Sequence, residues 1–154
     1  MDLNKLTQGE KVIAGSAIAF LLFSFFPWFG KGGYSRNGWS YFLFGIIPLL
    51  LAIIMAAQIG ISRFTETKLP DPPLPWGQVH LIAGGLAAAL VLLKLIIGDK
   101  YTGGVTVLGT HAGFSITLDR QFGIFLAFIA AIGLAAGGYL KSKEPAEAAP
   151  PPAL

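Results

Sequence analysis

The chain has 154 residues, of which 54% are hydrophobic and only 12% charged, against about 25% charged in an average soluble domain. Its formal net charge is +3, but the Lys and Arg residues are spread along all the polar segments, so there is no basic cluster of the kind that binds nucleic acid. The absence of cysteine excludes disulfides, thiolate metal sites, Cys nucleophiles and S-palmitoylation together.

Four apolar runs dominate the chain: Val12 to Phe29, Tyr41 to Ile61, Val79 to Ile97 and Phe122 to Leu140. Each comes close to the roughly 20 mostly apolar residues needed to cross a hydrocarbon core as a helix. They predict an all-α membrane protein: a four-transmembrane-helix bundle in one domain over residues 1–140, with the lipid bilayer as its first partner. Before the first run, Thr7-Gln8-Gly9-Glu10 fits a capping box, so the helix is expected to begin at Gln8. That run is too long for the apolar core of a cleavable signal and has no small-x-small site, which makes it a retained span. Pro27 and the aromatics around it mark its exit. Gly30 to Ser40 reads as a short connector with Tyr34, Trp39 and Tyr41 suited to an interface belt. In the second run Pro48 predicts a modest kink. The link Ser62 to Trp76 contains Leu69-Pro70-Asp71-Pro72-Pro73-Leu74-Pro75-Trp76, an extended, stiff spacer rather than a proline-motif ligand.

The second outer loop, Gly98 to Gln121, is the most structured of the connections. Its two alternating, β-branched segments predict a small extracytoplasmic β-hairpin over residues 105–118, with Gly109 to Gly113 as a five-residue turn and His111 at the tip. An isolated hairpin is marginal in water. The face made by Phe114, Ile116 and Leu118 is therefore expected to cap the bundle or to meet a partner.

Small residues mark the helix seams. Gly133 and Gly137 form a GxxxG in the fourth span, Ala56 and Gly60 repeat the spacing in the second, and the third is rich in Ala and Gly. The same spacing serves packing within the bundle or contact with another chain. Lys94 is the one charged residue inside a span and lies close to Asp99; it reads as a snorkelling side chain, with transport as the competing role. His80 and His111 fall on opposite sides of the membrane in this topology, about 30 Å apart, so they do not share a metal or haem site. The remaining polar residues in or beside spans, Gln58, Ser16, Ser24 and Ser62, suit interhelical hydrogen bonds. No Ser-His-Asp, Walker, HExxH or paired intramembrane carboxylate pattern occurs, and no cofactor is implied. Lys5, Lys11, Arg63, Lys68, Lys141 and Lys143 lie on the side of the termini and Lys31, Arg36, Lys100 and Arg120 on the other, a modest bias that predicts both termini in the cytoplasm, with the reverse orientation as the alternative. Residues 141–154 read as a disordered cytoplasmic tail.

Phe26-Pro27-Trp28-Phe29 closing the first run, Asn37-Gly38-Trp39 with Phe42 opening the second, and Gly123-Ile124-Phe125-Leu126, Ala131-Ile132-Gly133 and Gly137-Gly138 in the last resemble the small, largely uncharacterised four-span membrane proteins of actinobacteria. The resemblance implies a bacterial cytoplasmic membrane and no assigned activity. The layout is also similar to that of claudins, but their paired outer cysteines and Trp-Gly-Leu-Trp stretch are absent. The expected function is that of a non-enzymatic accessory subunit of a larger membrane complex, with a membrane-protein partner or a homo-oligomer. The alternative is a small transporter or channel component.

Overall fold

In the computed structural model, residues 6–65 and 76–143 are described. The proline-rich spacer at 66–75 and the tail at 144–154 lie outside the described residues. In chain order the elements are α1 (Gln8–Phe23), β1 (Pro27–Lys31), β2 (Tyr34–Asn37), α2 (Ile47–Phe64), α3 (Trp76–Ile97), β3 (Asp99–Val107), β4 (Thr110–Arg120) and α4 (Phe122–Lys143). The last three residues of α4 take up the start of the segment read as a disordered tail.

The capping box forms as expected: the Thr7 hydroxyl accepts the Glu10 N–H, and the Glu10 carboxylate accepts the Thr7 N–H. The other end of α1 comes earlier than the apolar run suggests. The helix stops at Phe23, and Pro27 to Phe29, expected as its exit turn, belong to β1. The reason is Pro27, which has no N–H to offer the Phe23 carbonyl. The Trp28 indole donates to that carbonyl instead, at 3.0 Å. At about 1.5 Å per residue, α1 is about 24 Å long, shorter than a hydrocarbon core. Pro48 acts through its N-terminal side: Phe42–Ile46 form a wide π-helical turn in which the Ile46 N–H reaches back to the Tyr41 carbonyl, and the regular helix begins after it.

Among the described residues three helices are long and apolar enough to cross a membrane: Phe42–Phe64, Trp76–Ile97 and Phe122–Lys143. With α1 they make a bundle in which α4 packs closely on α3 and α1, and α2 bridges α1 and α3. Its outward surface is apolar, with Ile18, Leu22, Ile54, Ile82, Ile96 and Ile129 all more than half exposed. A bundle in water would set charges there; a continuous apolar exterior is what lipid accepts. Inside, Ile13, Ala17, Ala52, Met55, Ile59, Ala87 and Leu134 fill one half of the core. Phe20, Trp28, Phe29, Tyr41, Leu49, Val91, Leu118 and Ile124 fill the other, against the sheet.

The four strands make one antiparallel sheet in the order β2-β1-β4-β3. The expected hairpin is present, longer than predicted, and tied to the connection between α1 and α2 through β1 and β4. Its turn is not Gly109 to Gly113. Val107 pairs with Thr110, which leaves a two-residue turn, Leu108-Gly109, with φ of 52° and 79°.

Small residues close the helix seams. A Cβ on Gly84 would stand 2.6 Å from the Leu134 carbonyl oxygen, and one on Gly138 would stand 2.6 Å from the His80 backbone, so α3 and α4 are in backbone contact at two successive turns. By contrast, nothing lies within 4 Å of a Cβ built on Gly60. Gly84→Val should therefore cost at least ~2 kcal/mol by forcing the helices apart, whereas Gly60→Ala should be neutral or slightly stabilising. Unfolding of both variants in mild detergent, followed by circular dichroism, checks the contrast.

Candidate functional site

The polar groups of the bundle gather at its two ends. At the sheet end, Gly98 leaves α3 with φ 78° and turns the chain so that Asp99 opens β3 beside the end of the helix. The Asp99 carboxylate accepts from the Tyr41 hydroxyl at 2.6 Å, from Arg36 Nη1 at 3.1 Å and from Lys94 Nζ at 3.5 Å. Lys94, the candidate transport residue, reaches toward Asp99 but stays 8% exposed. Its ammonium sits 4.3 Å from the centroid of Tyr41, with Phe29 and Phe44 at 5.5 and 5.7 Å, so aromatic faces take the place of water. Burial raises the pKa of Asp99, but the Tyr41 hydroxyl, the nearby Lys94 charge and Arg36 together outweigh it and hold the carboxyl below its ordinary 3.8.

The same carboxylate shapes the sheet. Asp99 lies in β3 and Arg36 in β2, the two opposite edges, and their ion pair draws the edges together. Tyr34 of β2 and Tyr101 of β3 meet edge to face at 5.2 Å, and Arg36 Nε donates to the Tyr34 hydroxyl at 2.8 Å. The sheet is curled as a result. On its concave face it carries a cleft of about 350 Å³ lined by Lys31, Gly32, Tyr34, Tyr101, Ile116 and Leu118. Strand alternation accounts for the set: Leu118 and Ile116 lie two apart on β4, Tyr101 is paired with Ile116, and Tyr34 is paired with Lys31.

Past this cleft the β3–β4 hairpin projects alone. Along β4, Leu118 is buried at 2% exposure while every residue from Thr110 to Thr117 is exposed. The predicted apolar face therefore divides into three: Leu118 joins the core, Ile116 lines the cleft, and Phe114 is half exposed with its ring 6.2 Å from Tyr101. His111 lies within β4 rather than at the tip, its Nδ1 3.3 Å from the Thr106 hydroxyl. The tip is Leu108, fully exposed. Gly133 and Gly137, the other candidate interaction residues, face α1 of the same chain: a Cβ on Gly133 would collide with Ser16, and one on Gly137 would stand 2.6 Å from Ile13. They are a seam inside the bundle, not a surface for a second chain.

At the opposite end Glu10, with no exposure, accepts from Arg63 Nε at 2.9 and 3.1 Å and from Lys141 Nζ at 2.8 Å, which ties α1 to the ends of α2 and α4. Next to it His80 is 2% exposed, with Nε2 2.7 Å from Gln58 Oε1, the expected interhelical hydrogen bond; Nδ1 has no hydrogen-bond partner among the described residues. His80 and His111 occupy opposite ends of the molecule. Among the described residues no group of three or more His, Asp or Glu is placed to hold a metal ion.

What sequence reading passed over is Asp99 as the meeting point of Arg36, Tyr41 and Lys94 at one end and Glu10 as an ion-pair centre at the other. The available signal was the scarcity of acids between apolar runs: a lone Asp next to a span end and a lone Glu at a helix start. The chain matches no protein-family model, no curated protein and no solved structure.

Asp99→Asn should destabilise the protein by about 3 kcal/mol, because it leaves the enclosed Lys94 ammonium without its anion. The double variant Asp99→Asn, Lys94→Met should recover part of that loss; equal stability of the double and single variants would dispose of the pairing. The pH dependence has a defined sign. The folded carboxyl releases its proton at lower pH than the unfolded one, so its contribution is present above about 3.8 and lost as pH falls through the folded value. Acid titration of unfolding should show the wild type losing its advantage over Asp99→Asn below that point.

Proposed function

We propose that this chain is a non-enzymatic integral membrane protein of the bacterial cytoplasmic membrane and that it serves as an accessory subunit of a larger membrane complex. In this reading all four helices are embedded, α1 being the short one, both termini lie in the cytoplasm, and the curled sheet stands outside. The projecting hairpin is the docking element.

The observation that carries the reading is Leu108. A two-residue hairpin turn with both φ values positive is ordinarily filled by Asn, Asp or Gly, and the β1–β2 turn follows that rule with Gly32 and Gly33. The β3–β4 turn instead puts a leucine in the left-handed region, fully exposed, at the tip of the arm. That choice costs backbone energy and burial at once. A contact made by the Leu108 side chain, with Val107 and Phe114 behind it, offsets both costs. Transport through the bundle has less support, since Lys94 is enclosed by aromatic rings and Ile13, Ala17, Met55, Ile59 and Leu134 fill the interior between the two polar ends.

The absence of native cysteine makes the placement directly testable. Leu108→Cys should react with a membrane-impermeant maleimide in intact cells, and Lys143→Cys only after permeabilisation; the reverse pattern would invert the orientation. For the docking role, a photo-crosslinker at Thr110 should give one dominant adduct with a different protein. Adding Leu108→Asn, which suits the turn better, should remove that adduct while leaving or raising thermal stability. An adduct that survives Leu108→Asn, or adducts with lipid alone, would falsify the assignment.

A further inference from the structure

We infer that the cleft inside the curled sheet is a binding site for an anionic membrane lipid, with one acyl chain between Tyr34, Tyr101, Ile116 and Leu118 and the acidic headgroup against Lys31. The volume, about 350 Å³, falls within the ordinary range of roughly 300–1,000 Å³ for small-molecule sites. Its walls are two aromatic rings and two branched aliphatic side chains. One of the few polar atoms near them, the Tyr34 hydroxyl, already accepts from Arg36. A sugar or a peptide would find too few hydrogen-bonding groups there, whereas a hydrocarbon chain needs none.

The charge on this face selects the headgroup. Strand alternation and register put Lys31, Arg36 and Arg120 on the same side of the sheet as the cleft, with Lys94 beneath it, and one carboxylate, Asp99, faces them. Asp119 is on the other side, one residue out of phase with Leu118 and Arg120. Asp99 is committed to Arg36, Lys94 and Tyr41, and Arg120 donates to the Leu95 and Ile96 carbonyls at the end of α3. Lys31, exposed at the rim, is the one cation of this set with neither an ion-pair nor a hydrogen-bond partner among the described residues. An acidic headgroup supplies one.

The bilayer itself is the source. Leu118 forms the floor of the cleft and belongs to the same buried cluster as Trp28, Phe29, Tyr41 and Ile124, level with the points where α2 and α4 begin. If those helices span, the cleft opens at headgroup depth. This inference rests on the membrane placement proposed above but not on the docking role of Leu108.

The test uses the full chain purified in mild detergent, titrated with dioleoylphosphatidylglycerol or dioleoylphosphatidylcholine and read by native mass spectrometry. One saturable phosphatidylglycerol adduct per chain is expected, well ahead of phosphatidylcholine. Lys31→Glu should weaken it by about fivefold or more. Ile116→Trp, which fills the cleft, should abolish it, and Ile54→Trp on the outer face of α2 should leave it unchanged. Circular dichroism verifies that all three variants fold; the altered side chains are exposed in the wild type. Equal binding of the two lipids, an adduct unaffected by Ile116→Trp, or a dimer that excludes lipid would each overturn the site. Release of the chain from membranes by alkaline carbonate would instead count against the membrane placement, and the two failures are separately visible.

Discussion

Asp99 is the point at which the helical and sheet parts of this protein are joined. It follows the helix-ending Gly98 directly, so its carboxylate is fixed beside the end of α3, and from there it holds Lys94 below, Tyr41 at the entrance to α2, and Arg36 on the far edge of the sheet. Two segments distant in sequence, 36–41 and 94–99, meet on one small anion. A buried carboxylate with a single cation is often no better than a hydrophobic pair. Here the hydroxyl and the second cation fill its remaining acceptor positions, and the aromatic cage around Lys94 stabilises the ammonium that would otherwise be the costly member. The curl of the sheet, and with it the cleft, depends on this contact, because strand order alone leaves β2 and β3 on opposite edges.

Glu10 repeats the arrangement at the other end with different elements. It caps its own helix and binds Arg63 and Lys141, so the first turn of α1 and the last turns of α2 and α4 cannot slide independently. Between the two carboxylates the core is apolar and the seams are closed by glycine and alanine. Apolar packing of this kind has little registry of its own, since one small residue slips past another at modest cost. The charged ends supply the register that the smooth interior lacks, as polar residues do in coiled coils.

What could be read from the sequence was what is local. The apolar runs, the Thr7–Glu10 box and the β-alternation after Gly98 are each contained within a dozen or two dozen residues, and the structure has the corresponding helices and strands. The failures have two physical origins. Where a local rule is broken, local reading errs: Gly109 to Gly113 has turn composition, yet the turn falls at Leu108-Gly109 because a leucine occupies a position that normally excludes it. Pro27 likewise ends α1 early by a means the hydropathy pattern does not register. Where partners are remote, a single sequence carries no pairing information. Asp99 finds its hydroxyl 58 residues away and its arginine 63 away, and Glu10 finds Lys141 at a separation of 131.

The allocation of glycines limits where specificity can reside. Gly77, Gly84, Gly123, Gly133, Gly137 and Gly138 all press on other parts of this chain, so the small-residue seams that join α4 to α3, α1 and β1 are already occupied, whereas Gly15, Gly60 and Gly85 have nothing within 4 Å of a built Cβ. Most of what the helices offer outward is bulky and aliphatic: Ile18, Ile54, Ile96 and Ile129 suit lipid chains as well as any protein surface. Polar recognition, shape and strain are concentrated instead in the residues between α3 and α4. There a mostly enclosed anion sets the base of the sheet, one wall of the apolar cleft stands above it, and an exposed leucine in an unfavourable backbone conformation ends the arm. A segment under no demand beyond linking two helices would need neither the cleft nor the leucine.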